Sequence, residues 1–205
     1  MGYTTTFTGK FKVTPALDQD QINYLKKFSE TRRMQRDNNV LMNMSDPLRE
    51  AVGLGLGEQG EYFVNAKGFA GQDDDESIIN YNNPPLNQPG LWCQFEPSDD
   101  GKYILWDGGE KFYYYQEWLQ YIVDNFLKPW GRQLNGDVQW KGEDSDDRGV
   151  LTARNNNITS LEGEEYRRYI QEKKLEKKAK KEKKEILKEL DEDISSSVKR
   201  DKLKL

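Results

Sequence analysis

A highly charged segment follows residue 161 of this sequence and limits where a hydrophobic core can form. Residues 162–205 contain 15 Lys and Arg and 12 Asp and Glu, and their apolar residues are too sparse for a sustained heptad pattern. The core must therefore form within residues 1–161, a length that suits one domain. We predict an α+β globular domain over residues 1–161, a solvent-exposed charged helix over residues 162–194 and a disordered tail over residues 195–205.

Hydrophobic periodicity predicts alternating strands and helices in the domain. Residues 3–13 alternate apolar and polar side chains as in a half-buried strand, and residues 111–129 carry the apolar stripe of an amphipathic helix. Asp18, followed by Gln21, is typical of the N-terminal cap of another helix. Further strands are predicted at residues 61–66, 91–96, 102–106, 138–142 and 149–154. This order contains the β-α-β-β-α-β succession of a ferredoxin-like sandwich, so we expect an antiparallel or mixed sheet with two main helices on one face.

The sequence contains no histidine and one cysteine, Cys93. The missing histidine excludes Ser-His-Asp and Cys-His catalysis and zinc sites with two histidines. An enzyme built from this chain would depend on carboxylates, Lys, Tyr or a metal bound by oxygen atoms. The first residues lack the apolar region of a secretion signal, and no run of about 18 apolar residues occurs, so we expect a cytoplasmic protein without a membrane span.

Acidic loops supply the candidate metal ligands. Asp73 and Asp75 lie in a long polar loop, and Asp144 and Asp146 lie between the last two predicted strands. Their carboxylates suit Ca²⁺ or Mg²⁺ if the loops meet at one edge of the sheet. Asp144 and Asp146 match the first positions of a calcium loop, but Arg148 stands where that loop needs an oxygen ligand. Separate solvated turns with no bound cofactor are the interpretation that we favour.

Arg32, Arg33 and Arg36 form a compact basic group in an acidic domain, since residues 1–161 contain 16 Lys and Arg against 24 Asp and Glu. Forked guanidinium groups suit carboxylate or phosphate ligands. If the first helix continues through this segment, Arg32 and Arg36 lie one turn apart on the same face. The alternative is that these arginines pair with acidic residues of their own chain.

Residues 67–90 contain no periodic element, and long irregular loops are more often functional than idle. Trp92, which follows this loop, is predicted to project from the second face of its strand and is a candidate for stacking on a ligand. Asp107, Glu110 and Lys111 precede the second main helix. They are candidate ligand or partner contacts, and the two acids are also candidates for acid-base hydrolysis; the alternative is that they cap the helix.

Several sequence motifs resemble a functionally uncharacterised family of small bacterial and phage proteins. These motifs are FSETRRM, QPGLWCQF, WDGGEKFY and GDVQWKGEDSDDRG, and the similarity covers about residues 3–158. The resemblance implies a bacterial or phage intracellular origin. It supplies neither an activity nor catalytic residues, and the charged segment lies outside it.

These observations favour a non-enzymatic binding or accessory protein. It would contact a protein partner or a small anionic ligand through residues 67–90 and nearby arginine and aromatic residues. One alternative is a carboxylate- or metal-dependent hydrolase of phosphate esters or glycosides. Another is nucleic-acid binding through the basic cluster Lys173–Lys184.

Overall fold

The structure is a computed structural model that describes residues 2–64 and 76–202, with side chains described as far as residue 188 and at Leu190. Contacts within the chain define two compact units, residues 1–161 and residues 162–205. The first unit is an α+β fold with a mostly antiparallel sheet, as the sequence predicted. Among the described residues, no helix combines the length and the apolar character needed to cross a membrane.

The main sheet has the strand order β5-β6-β2-β7-β8-β9, and β1 also pairs with β7. Two short strands, β3 and β4, form a separate antiparallel pair. The strands are β1 Thr6–Gly9, β2 Phe11–Thr14, β3 Gln35–Arg36, β4 Ile78–Asn80, β5 Phe95–Pro97, β6 Tyr103–Trp106, β7 Gln133–Lys141, β8 Arg148–Arg154 and β9 Asn157–Glu162.

The strand predicted at residues 3–13 is divided into β1 and β2, which pair with different parts of β7. Gly136 of β7 lies opposite the division with a φ of +145°, and a Cβ there would lie 3.1 Å from the carbonyl oxygen of Lys10. Glycine suits this position, because other residues rarely adopt this φ and a Cβ would make a tight contact with the facing backbone. The predicted alternation is preserved, because Phe7 and Phe11 are buried whereas Thr6 and Lys10 are exposed.

Two helical segments pack their apolar faces together in the core of the first unit. Asp18 begins α1 with the predicted capping box, and Phe28 of α1 lies 5.1 Å from Phe126, measured between ring centroids. Phe126 belongs to a π-helical turn, Val123–Leu127, that continues α4. The helices are α1 Gln19–Glu30, α2 Asn38–Leu41, α3 Pro47–Ala51, α4 Tyr115–Ile122 and α5 Gly163–Lys202, with a 3-10 turn at Glu58–Gly60.

Two predicted strands differ from the structure. Residues 61–64 form a turn and an irregular segment, and residues 65 and 66 lie outside the described residues. Residues 91–94 are irregular before β5 begins at Phe95. The buried guanidinium of Arg33 explains the first difference, because it donates to the carbonyl oxygens of Glu61 and Phe63. The backbone of this segment therefore bonds to a side chain rather than to a neighbouring strand, an arrangement that periodicity alone does not reveal.

The second unit contains α5, which is described through Lys202 and so continues beyond the end predicted at residue 194. After Gly163 the sequence has no glycine or proline that would interrupt a helix. Ion pairs spaced four residues apart support its exposed surface, including Lys178–Glu182 at 3.9 Å and Lys181–Glu185 at 3.8 Å. Leu175 is 68% exposed.

Candidate functional site

An aromatic cleft of about 770 Å³ lies between the segment that precedes β5 and the segment that enters α4. Its volume falls within the usual range of sites for small ligands and short peptide segments. Rings from both segments form most of its walls. The principal lining residues are Pro84, Pro89, Trp92, Tyr113, Tyr114 and Trp118.

The buried residue Arg33 forms hydrogen bonds with the segment that makes one wall of the cleft. Its side chain is 2% exposed, and its Nε donates to Gln88 Oε1 at 3.3 Å. Its backbone N–H donates to the carbonyl oxygen of Leu91 at 2.9 Å. Burial lowers the pKa of the Arg33 guanidinium. Gln88 and Leu91 flank Pro89 and Gly90 in sequence, so one buried arginine helps to set the position of the lining between them.

Trp118 supplies a polar atom at the base of the cleft. Its side chain is fully buried and makes edge contacts with Phe28 and Tyr121, at 6.1 Å and 5.5 Å between ring centroids. Its Nε1–H has no hydrogen-bond partner among the described residues. An indole nitrogen is a donor only, so the group needs an acceptor from elsewhere. The ring contacts hold this donor in a fixed position.

Gly90 leaves space next to that donor. A Cβ on Gly90 would lie 3.7 Å from Trp118 Nε1 and 3.5 Å from the ring of Tyr114, which are ordinary van der Waals distances. The backbone of Gly90 does not have the left-handed conformation that requires glycine. The backbone therefore does not require glycine here, and the missing side chain leaves room beside the Trp118 donor.

The opposite wall contains two strained residues. Lys111 and Tyr114 have left-handed backbone conformations, with φ of 59° and 56°. Such conformations are uncommon for residues other than glycine and cluster at functional sites. Here they accompany two exposed rings, because Tyr113 is 50% exposed and Tyr114 is 59% exposed. The strained turn thus presents tyrosine rings at the mouth of the cleft.

Several hydrogen-bond acceptors of the lining are already in use. The carbonyl oxygen of Leu91 accepts from Arg33 N at 2.9 Å, and that of Tyr114 accepts from Trp118 N at 2.8 Å. Gln94 uses both ends of its amide, as Nε2 donates to the carbonyl oxygen of Glu110 at 2.8 Å and Oε1 accepts from Trp106 Nε1 at 3.3 Å. The carbonyl oxygen of Pro84 accepts from Gln35 Nε2 at 3.1 Å. The lining therefore places an unpaired donor beside several occupied acceptors.

Three of the residues selected from the sequence meet at this cleft, namely Trp92, Glu110 and Lys111. Arg32 lies beside them, with its guanidinium 5.9 Å from the ring of Trp92. Asp107 is not part of the lining. Its Oδ1 accepts from the backbone N–H of Gly109 at 2.7 Å, and burial raises its pKa.

The sequence suggested that Arg33 and Arg36 belong to a surface anion site, whereas the structure buries both residues. Both are 2% exposed, and Arg36 Nη1 donates to Ser77 Oγ at 2.7 Å. The helix that was expected to align Arg32 with Arg36 ends at Glu30, and Arg36 belongs to strand β3. Arg33 is held by groups of its own chain, and its burial gives it a structural role.

The predicted metal ligands fall into two groups. Asp73 and Asp75 lie outside the described residues, as do residues 67–75 of the loop predicted to contact a partner. Asp144 and Asp146 lie in the turn between β7 and β8, where Arg148 Nη2 is 3.7 Å from Asp146 Oδ1. Within the described part of the chain, no three Cys, Asp or Glu side chains are grouped as metal ligands.

Sequence reasoning did not single out Gly90, Tyr114 or Trp118 as a site, although one signal was present. Residues 113–115 are three consecutive tyrosines at the start of the helical pattern. A helix with 3.6 residues per turn cannot direct three consecutive side chains into the same core, so some of these rings had to be exposed.

In comparisons with known proteins, no family model, curated protein or solved structure matched this chain.

Proposed function

We propose that this protein is a non-enzymatic binding or accessory module of bacterial or phage origin that acts in the cytoplasm. It binds a protein partner or a small anionic ligand through the aromatic cleft. The observation that carries the proposal is the unpaired Nε1–H of Trp118 at the base of that cleft. The bacterial or phage origin is what the motif resemblance over residues 3–158 implies.

A buried donor without an acceptor is costly, and this cost supports a ligand site. Leaving such a group unpaired destabilises a protein by about 1–3 kcal/mol. A ligand carbonyl or carboxylate that reaches Trp118 Nε1 would remove that cost on binding. The rigid packing of the indole against Phe28 and Tyr121 means that little side-chain entropy is lost when the bond forms.

The charged groups of the cleft support binding more than hydrolysis. Glycoside hydrolysis requires a pair of carboxyl groups on either side of the scissile bond. Among the described lining residues, Glu110 is the only carboxylate, and Lys111 is adjacent to it. The same Lys111 is the group that would contact a small anionic ligand.

We also propose that the sheet and helices are a variant of the ferredoxin-like sandwich. The strand order β5-β6-β2-β7 supports this, since α1 falls between β2 and β5 in sequence and α4 falls between β6 and β7. In this interpretation, β8 and β9 extend the sheet beyond the common core. The cleft is formed by the segments before β5 and before α4.

Nile red tests the binding proposal directly. This dye is planar and apolar, carries a carbonyl acceptor and has no hydrogen-bond donor, so it matches the groups of the cleft. We expect its fluorescence to increase on the full-length protein. Gly90→Val should weaken binding by about tenfold, the effect of losing about 1.4 kcal/mol.

Gly55→Val is the matched control. Gly55 is exposed and has no left-handed φ. No heavy atom lies within 4 Å of the point where its Cβ would be. It should bind the dye as the wild type does. Thermal unfolding of both variants confirms that they are folded. No dye binding by the wild type, or equal binding by the two variants, would contradict the proposed function.

A further inference from the structure

We infer that the natural occupant of the cleft is an extended, proline-containing segment of a partner protein, with a basic residue next to its prolines. This inference rests on the proposed function, since it names the ligand class of the same site. Three properties of the cleft carry it: the rings of its walls, the hydrogen-bonding groups that it leaves unpaired, and the charges around it.

The walls of the cleft suit proline rings. Trp92 contributes an indole, Tyr113 and Tyr114 contribute phenol rings, and Pro84 and Pro89 contribute pyrrolidine rings. Proline-rich segments in the polyproline II conformation bind in grooves lined by aromatic side chains. Such a segment is already extended before it binds and loses little conformational entropy. The half-exposed tyrosines leave the cleft open for a chain to enter and leave.

Hydrogen bonding discriminates between ligand classes. The cleft presents the Trp118 Nε1–H donor, while the carbonyl oxygens of Leu91 and Tyr114 already accept hydrogen bonds. A sugar or a nucleobase would bring several N–H or O–H donors to a lining in which the acceptors of Leu91, Tyr114 and Gln94 are in use, and burying unpaired donors weakens binding. Proline has no N–H, and the carbonyl groups of its chain are acceptors. A proline-containing segment therefore suits the cleft, because its carbonyl groups can accept from the Trp118 donor and its prolines add no N–H donor.

Charge complementarity favours a basic residue in that segment. Glu110 lines the cleft, and Glu117 lines an adjoining pocket of about 400 Å³ that shares Pro89 with it. Neither carboxylate makes an ion pair with another described residue. Lys111 is the only cationic side chain among the described lining residues, and Arg32 beside the cleft donates to the carbonyl oxygen of Tyr81 and lies over the Tyr81 ring. The domain as a whole is acidic, with 24 Asp and Glu against 16 Lys and Arg in residues 1–161. A basic residue beside the prolines would meet this surface favourably.

Displacement of Nile red from the full-length protein tests the inference. The probe is a decaproline peptide with one arginine at each end. One control peptide replaces the prolines with alanine, and another replaces the arginines with glutamate. We expect the proline-arginine peptide to displace the dye, and both control peptides to bind about tenfold more weakly or worse. Glu110→Gln combined with Glu117→Gln should reduce the difference between the arginine and glutamate peptides.

The outcomes separate this inference from the proposed function. If Nile red binds at the cleft but the proline-arginine peptide does not displace it, the peptide inference is overturned and the binding module stands. Equal displacement by the alanine peptide overturns it as well. Displacement by adenosine monophosphate or maltotriose, but not by the peptide, would identify a small ligand instead. If Nile red itself does not bind at the cleft, the proposed function fails as well.

Discussion

The Cβ position of Gly90 lies 3.7 Å from Nε1 of Trp118, and Nε1 has no acceptor among the described residues. The two residues come from different walls of the cleft, one from the segment before β5 and the other from α4. Together they create an open space with a fixed donor beside it. This relationship is the basis of the functional proposal, because it explains both the missing side chain and the unpaired indole.

The ring of Tyr114 should contribute to binding without contributing to folding. Tyr114→Asn removes the ring, and asparagine tolerates the left-handed backbone at this position. We expect Nile red to bind several-fold more weakly, while the free energy of unfolding changes by less than about 1 kcal/mol. Leu86→Asn is the control, since Leu86 is 75% exposed and does not line the cleft. Equal effects of the two substitutions on dye binding would argue against a specific role for Tyr114.

Arg33 should be essential for stability, whereas its neighbour Arg32 should not. Arg33→Met leaves the carbonyl oxygens of Glu61 and Phe63 without their buried donor. We expect a loss of about 3 kcal/mol or more in the free energy of unfolding, measured by urea denaturation. Arg32→Met is the matched control and should cost less than about 1 kcal/mol. A small effect of Arg33→Met would show that the buried guanidinium does not organise this segment.

The turn before β6 should have an acid-dependent stability. Ser98 Oγ and the backbone N–H of Lys102 donate to Asp100 Oδ1 and lower the pKa of Asp100 from 3.8 to about 2. Because the folded pKa lies below the ordinary value, the stabilisation is present above pH 3.8 and is lost as the pH falls towards 2.

A carboxyl NMR titration measures the pKa of Asp100 directly. Ser98→Ala should raise it towards the ordinary value, because the Ser98 hydroxyl is the largest cause of the shift. The stability difference between the wild type and Asp100→Asn should shrink over the same pH range. If Asp100 titrates near 3.8 in the wild type, the hydrogen bonds of the turn do not have the proposed effect.

The domain should fold without the charged helix α5. A chain that ends at Glu162 keeps all of β9 and the whole core of the first unit. We expect a cooperative thermal transition within about 4 °C of the full-length value, a shift that corresponds to about 1 kcal/mol for a chain of this size. Loss of the cooperative transition would show that α5 is needed for folding. Nile red binding by the shortened chain should match that of the full-length protein.

The parts of the fold that depend on local pattern were predictable from the sequence. The Asp18 capping box is formed, and Leu119, Ile122 and Phe126 are buried as the helical spacing indicated. The hairpin of β7 and β8 is also present, although β7 begins at Gln133 rather than at residue 138. In each case the signal comes from residues close together in sequence, which periodicity and capping rules describe well.

The cleft itself was only partly predictable. Trp92, Glu110 and Lys111 were selected from the sequence and do line it, whereas Gly90 and Trp118 were not selected. Their functional meaning depends on a long-range arrangement: Arg33 positions the segment before β5, and α4 brings Trp118 to it. A glycine and a core tryptophan have no distinctive local pattern, so tertiary structure was needed to identify them.

The most direct test of the central claim is the NMR signal of the Trp118 indole in the full-length protein. The probe is N,N-dimethylbenzamide, which has a carbonyl acceptor and no donor. Trp140 is an internal control, because its Nε1 is also buried without a partner among the described residues but does not line the cleft. We predict that the probe shifts the Trp118 Nε1–H resonance downfield and leaves that of Trp140 unchanged. An unchanged Trp118 resonance at millimolar probe, or equal shifts of both indoles, would contradict the account.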